Sequence, residues 1–374
     1  MTKESIAVIG GGIVGSTAAY YLARAGYDVT LFDEGTGQAT SAAAGIICPW
    51  FTLRRNKPWY FLVSQGAEFY RQLMRDLAED GFETAHIFKE QGALIIRKNQ
   101  KSLDRDIEAS TVKKETAPAI QTVKTLSPQE SNKLFPMLET QYSATHVQGG
   151  GRVDGAALIN TLKQAFTTHG GQLITQTAQL TPEHLIKYAQ QEAQHFDKIL
   201  LAAGAWLPDL LEPLDYDVDI RPQKGQLFSI QTTHDDTDNW PVIMPPGKVD
   251  IIPNPNGEIV IGATHEDDMG YDLELDYDKL AELSETAKNW IPSIETYSIH
   301  NTRVGIRAYT SDYTVLVGQV PETNNIWAVS GLGSSGLTSG PYLGYQWAQL
   351  IQTGKWTLNE DDFPINKFIQ KRHV

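Results

Sequence analysis

Hydrophobic positions along the chain alternate between short β-branched runs and stretches where an apolar side chain recurs every third or fourth residue, the pattern of strands interleaved with helices. Residues 6–9 (IAVI) form the first run, Ala18, Ala19, Leu22 and Ala23 give 16–24 a helical makeup, and 28–32 (DVTLF) form a second run. Phe61, Gln65, Phe69, Leu73 and Leu77 line one face of a helix predicted over 60–80. "GALIIR" at 92–97 reads as a strand, whereas 104–138 is charged, punctuated by proline, and reads as helix and loop. Gly149 to Gly151 mark a turn, 155–168 a helix, and 170–178 and 198–202 two strands, the second ended by Gly204. Segments 226–230 and 259–262 suit another sheet with a helix over 279–290 across it, and 315–317, 326–329 and 337–352 read as strand, strand and closing helix. Asp215, Asp217 and Asp219 alternate as along a solvated strand edge. The elements define an α/β chain without internal repeats or low-complexity tracts.

Composition narrows what such a chain can bind. Its 374 residues, 41% hydrophobic, supply a sizeable core and fit two domains better than one. With 31 basic against 45 acidic residues the formal charge is -14, which disfavours nucleic acid and anionic membrane surfaces as partners. One cysteine excludes an internal disulfide, and no His/Cys/Asp/Glu spacing suggests a metal site. No apolar run reaches the roughly 18 residues of a membrane span, and the amino terminus lacks a secretory pattern, so a soluble cytoplasmic protein is expected, with homo-oligomerisation left open.

The strongest local signal is Gly10-Gly11-Gly12-Ile13-Val14-Gly15, placed between the first strand and the first helix. Gly10 permits the tight turn, Gly12 admits a pyrophosphate to the backbone around Ile13 and Val14, and Gly15 lets the helix pack closely with its N-terminus toward the phosphates. Gly26 caps the helix, and Asp33, followed by Glu34, ends the second strand about 20 residues on, where an acid takes the ribose hydroxyls. These features in order point to a dinucleotide. Next comes "TSAAAGIICPWF" from Thr40, whose small residues let the backbone run flush beside a flat ring, a need that flavin fits better than nicotinamide. There is no G-x-x-x-x-G-K-[ST], no G-x-S-x-G elbow at Gly333 to Gly336, no second histidine after "HEDDM", and no calcium loop around Asp215.

Seven segments, "IAVIGGGIVGSTAAYYLARAGYDVTLFDE", "TSAAAGII", "ILLAAGAWLPDLL", "RPQKGQLFSI", "IIPNPNGEIVIGATHED", "VGIRAYTSDYTVLVG" and "VSGLGSSGLTSGPYLG", resemble in order the D-amino-acid oxidase and glycine oxidase family of flavoproteins over nearly the whole chain. The resemblance implies a Rossmann-type FAD-binding domain (1–85, 146–219, 302–374) interleaved with an α+β substrate domain on a large mixed sheet (86–145, 220–301). It implies non-covalent FAD, with Thr40 and Ser41 near its phosphates or ribose and Ala44, Gly45 and Ile46 near the ring. Ala178, Ala203 and Gly204 join the cofactor set, as do Gly333, Ser334, Ser335, Gly336, Leu337 and Thr338, whose backbone N–H groups would face the flavin pyrimidine. Relatives often carry His, Arg or Asn in this loop, where the chain has Leu332, Ser334 and Ser335.

The implied reaction oxidises an amino acid, or a primary or secondary amine such as a D-amino acid, glycine or sarcosine, to its imine by hydride transfer to flavin N5. Oxygen is the implied acceptor. Such a reaction depends on anchoring, and a guanidinium grips a carboxylate with two bonds. Arg307 resembles the family's carboxylate-binding arginine, a structural ion pair being the alternative use. Arg54 and Arg55 reach a second carboxylate or lie in a solvated loop; Trp50 and Phe51 wall the pocket or fill the core. Asp250 stands where glycine-oxidase-like members carry tyrosine, and either binds a substrate cation or faces solvent. His265 falls at the rim, and Cys48 reads as a small buried hydrophobe rather than a flavin attachment. A dehydrogenase passing electrons to a quinone or carrier is one alternative, and a non-catalytic flavin-binding accessory subunit another.

Overall fold

A computed structural model describes residues 4–52 and 54–372. Strands in the order Leu316–Gln319, Ile326–Ser330, Lys198–Leu201, Ser5–Ile9, Asp28–Phe32 and Gln172–Ile174 make a six-stranded sheet, parallel except at its first edge. Strand alternation builds its two faces: Ile6 and Val8 point to one core, Ala7 and Ile9 to another. Helices Ile13–Arg24, Gly155–Thr168 and Gly336–Thr353 cover the first face. A hairpin of Ala178–Leu180 and Ile186–Tyr188, with the short helix Leu207–Leu211, covers the second. Helix Gly336–Thr353 lies so near helix Ile13–Arg24 that a Cβ on Gly344 would sit 2.3 Å from the Val14 carbonyl oxygen, which brings two helix N-termini to the same end of the sheet.

The second sheet has eight strands, in the order Ile299–Tyr309, Arg221–Gln231, Glu258–Gly262, Asp250–Pro253, Val242–Met244, Ala93–Ile96, Ala144–Val147 and Val123–Leu126. It is mixed, antiparallel but for one pair. Phe228, Ile251, Ile259 and Ile261 pack on Leu280, Leu283 and Ala287 of helix Tyr277–Lys288, while Leu227, Ile252 and Val260 on the opposite face join the core of the first domain. Two expected domain boundaries fall inside strands, at 145/146 in Ala144–Val147 and at 301/302 in Ile299–Tyr309, since both strands complete the eight-stranded sheet.

Local differences from the sequence reading have simple causes. The charged 104–138 region holds the strand Val123–Leu126, an edge whose Lys124 and Thr125 are exposed, so no apolar run announces it. Around the three alternating aspartates, Tyr216–Val218 pairs with Ile369–Lys371, and Asp217 bonds Arg372 at 2.7 Å, so this is a ribbon rather than a bare edge. No helix among the described residues is long and apolar enough to cross a membrane.

Candidate active site

At the carboxyl ends of the parallel strands opens a cleft of about 380 Å³. Gly10 turns into it with φ +101°, and a Cβ there would lie 2.4 Å from the Ala202 carbonyl oxygen, so a non-glycine residue is both strained and blocked. Gly12, Ile13 and Val14 follow at the lip of helix Ile13–Arg24, which has no side-chain cap; the Ile13 N–H donates to Thr40 Oγ1 at 3.2 Å. Thr40, Ala178, Ala203, Gly204, Gly333 and Gly336 complete the walls. Gly15 lies behind the lip, where a Cβ would meet the Gly10 carbonyl oxygen. Asp33 and Glu34 line the cleft, but neither is free: Asp33 accepts from Lys163 Nζ at 2.5 Å and Gln38 Nε2 at 2.7 Å, and Glu34 accepts from the Thr177 hydroxyl. Ser41 lines neither this cleft nor the cavity beyond it; its hydroxyl donates to Gln38 Oε1 at 3.0 Å and so orients the amide that holds Asp33.

Through Thr40, Gly333 and Gly336 this cleft continues into an inner cavity of about 400 Å³ at the domain junction. Ala44, Gly45 and Ile46 form one wall, and Ser334, Leu337 and Thr338 another. Strand Ile299–Tyr309 explains much of the smallness of the 40s segment: Gly305 passes beneath it, a Cβ there would lie 2.7 Å from Ala42 Cβ, and Arg303 Nη1 donates to the Ala43 carbonyl at 3.2 Å. Small residues thus serve a strand on one side and a cavity on the other. The Ser334 N–H donates to the Tyr309 hydroxyl at 2.9 Å and the Ser335 N–H to the Leu332 carbonyl at 3.2 Å. What this loop offers the cavity is therefore the first turn of helix Gly336–Thr353.

Arg307 supplies a half-buried charge to the cavity. Its guanidinium lies flat over Gly225, whose missing Cβ would fall 2.6 Å from Nη2, while Nη1 donates to Gln223 Oε1 and the Thr264 carbonyl, both at 2.9 Å. No carboxylate forms an ion pair with it among the described residues, and burial pulls its ionisation below the usual arginine range. Asp250, on strand Asp250–Pro253, lines both this cavity and an outer one of about 780 Å³; its residual exposure is to these cavities, and removal from bulk water pushes its carboxyl up to about 7. Lys248 and His265 stand at the rim. One side of the His265 ring is in solvent, yet loss of solvent on the other, then the Arg307 and Lys248 charges, lower it to about 4.

Trp50 is displaced from its expected place. It is fully buried and lines none of these cavities, because its ring fills the core; Lys113 grips its carbonyl. Phe51, Cys48 and Ser335 line the outer cavity. Arg54 donates to the Tyr313 carbonyl at 2.7 Å and stacks over Trp59, and Arg55 is exposed. Sequence reasoning missed Lys163 and Gln38, which lie on other elements, and Gly225 and Gln223; the glycine in "RPQKGQLF" was the only sign of a close approach. No cluster of three or more His, Cys, Asp or Glu among the described residues could hold a metal ion.

A Rossmann cleft that runs on into a cavity floored by a second sheet defines a two-domain dinucleotide-dependent oxidoreductase. The dinucleotide fits: the turn is closed to any Cβ at Gly10, the N-cap Gly12 puts no side chain over the helix N-terminus, and the inner wall at Ala42 to Gly45 is built of small residues. The chain belongs to the family described as "FAD dependent oxidoreductase", which matches residues 5–350, and its cofactor is FAD. "Uncharacterized oxidoreductase YurR" of Bacillus subtilis (strain 168) is 39% identical over 359 residues, 95% of this chain and 96% of that protein. A glycine oxidase of Pseudomonas putida is 25% identical over 91% of this chain and 92% of its own. Among solved structures, iminodiacetate oxidase (IdaA) from Chelativorans sp. BNC1 superposes with a TM-score of 0.91 at 30% identity, covering 96% of this chain and 98% of that one. Glycine oxidase from Geobacillus kaustophilus, at 20% identity and a TM-score of 0.83 over 99% and 100% of the two chains, shares the fold.

Proposed function

We propose that this enzyme oxidises the carbon–nitrogen bond of a small amino acid or N-substituted glycine, with dioxygen as acceptor and FAD held without a covalent link. Arg307 carries the reading: a half-buried guanidinium facing a cavity, with free N–H groups and no ion-paired acid among the described residues, is built to receive a carboxylate from outside. Gln223, Thr264 and the bare Gly225 fix its plane, so the carboxylate arrives in one orientation. When bound, FAD accepts a hydride from the amine-bearing carbon. The turn at Gly10 and the helix N-terminus at Ile13 would hold the pyrophosphate, and Asp33, oriented by Lys163 and Gln38, would meet the ribose. Cys48, the only cysteine, is buried with its thiol pushed up to about 12, which supports a non-covalent cofactor. The names of the iminodiacetate oxidase and glycine oxidase relatives support both the substrate class and the acceptor.

The test is anaerobic titration of the yellow protein with glycine, sarcosine, iminodiacetate and D-amino acids, followed by air and peroxide detection. Bleaching of the flavin band, then recovery with peroxide, is expected, and Arg307→Ala should raise the half-saturating concentration at least a hundredfold. If dithionite bleaches the flavin and no amine does, the reading fails.

A further inference from the structure

We infer, on the strength of the reading just given, that Asp250 is the residue that receives the substrate's amine and takes a proton from it, so that substrate is held at two ends, carboxylate on Arg307 and nitrogen on Asp250.

Sheet register puts the two on one face. Asp250 pairs with Gly262, Gly262 with Leu227 and Leu227 with Arg303, while Arg307 pairs with Gln223; paired residues share a face, as do residues two apart. Glycines 225, 262 and 305 lie on that face too, all three lining the cavity, so the only side chain on the floor between the acid and the guanidinium is Leu227, which packs against Gly262 and into the core. Gly225, directly beneath the guanidinium, is two strands and two residues from Asp250, a Cα separation of about 12 Å at about 4.8 Å per strand and 3.4 Å per residue. That span suits one small amino acid with a hydrogen bond of about 2.9 Å at each end.

Asp250 is also uncommitted. No described residue donates to or pairs with its carboxylate, in a chain where Asp33, Asp106 and Asp238 all hold cations. The charged and titratable groups around it are few. Arg307, Lys248 and His265 share the inner cavity, and Cys48, Arg97 and Lys98 the outer one. Arg97 is bound to Asp106 at 2.6 Å, Lys98 lies over the Tyr142 ring, and Cys48 keeps its proton. A buried carboxylate without a cation is stabilised by an arriving ammonium. The step balances simply: the ammonium N–H bond breaks, its electron pair stays on nitrogen as the lone pair that oxidation requires, and the proton moves to the Asp250 carboxylate. From there the proton reaches water through the outer cavity, which Asp250 also lines.

Two pairs of isosteres test this on the holoenzyme: sarcosine with methoxyacetate, and iminodiacetate with diglycolate, each ether lacking only the ionisable nitrogen. Ether binding is read as a perturbation of the flavin spectrum without turnover, and amine reactivity as anaerobic reduction. In the wild type, ether binding should tighten about tenfold as pH falls from 8 to 5. Asp250→Asn should abolish that dependence, bind the ethers at pH 8 about tenfold more tightly than wild type, and be reduced by the amines about a hundredfold more slowly at pH 7. Ether affinities equal in both proteins across this range overturn the inference while leaving the Arg307 reading intact, provided Arg307→Ala loses ether binding. Absence of ether and amine effects in the wild type overturns both.

Discussion

Replacing Asp250 by asparagine also perturbs stability in a way that needs no turnover to observe. Burial raises the carboxyl from its ordinary 3.8 to about 7. Between those values the folded chain keeps a proton that the unfolded chain has lost, so stability falls as pH rises from about 4 to 7 and levels off above. At about 1.36 kcal/mol per pH unit, a rise of about three units corresponds to a loss of up to about 4 kcal/mol. Water reaching the carboxyl through the two cavities lowers that ceiling, and a loss of about 2–4 kcal/mol is expected. Asparagine has no proton to lose, so Asp250→Asn should lack this slope. Its own amide shifts stability by a nearly constant amount at every pH, and the quantity to read is the slope of the difference, not its offset. Urea unfolding of both proteins at saturating FAD, followed by circular dichroism at intervals from pH 4 to 8, measures it. Parallel curves would show that Asp250 ionises as an ordinary surface acid and would refute the electrostatic picture of the inner cavity.

Gly225→Ala would push a methyl group to within 2.6 Å of the Arg307 guanidinium; the mutant should bind methoxyacetate ten- to a hundredfold more weakly than wild type by flavin difference spectroscopy, with its FAD retained and its circular dichroism unchanged. The buried Cys48 thiol, pushed up to about 12, should react with iodoacetamide at pH 8 about a thousandfold more slowly than a free thiol, and at the ordinary rate once urea unfolds the chain; mass spectrometry of timed samples reads the difference.

What could be read from the sequence was what local sterics enforce. The strand, turn and helix around Gly10 were legible because a positive φ and a backbone approach can be met only by glycine, and the residues that meet them are contiguous. Helix Gly155–Thr168 was legible to the residue because Asp154, whose side chain accepts from the Ala157 N–H, starts it and an apolar period fills it. Trp50 was misplaced because a local sequence does not say which side of an aromatic faces a cavity. Its ring is fully buried in a core drawn from distant parts of the chain, and Lys113, on helix Gln100–Thr116, holds its carbonyl.

Long-range pairing set the rest of the site. Arg307 could be picked out by its motif, but whether it was a structural ion pair or a waiting anchor depended on what lay opposite, and its neighbours Gln223, Gly225 and Thr264 come from two other strand regions. Facing it with an amide, a carbonyl and a bare glycine leaves the charge fixed in place but not neutralised. Asp33 received the opposite treatment, its charge met by Lys163, with one carboxylate oxygen shared between Lys163 and Gln38. The same register argument joins Arg307 to Asp250 across a glycine floor, a relation between residues 57 positions apart that appears only once Gly262 is paired on both sides. The departure from tyrosine at Asp250 thus gains a physical sense. With Asp250 as the second point of attachment proposed above, a ligand satisfying both it and the guanidinium must carry opposite charges at its two ends, as an amino acid does.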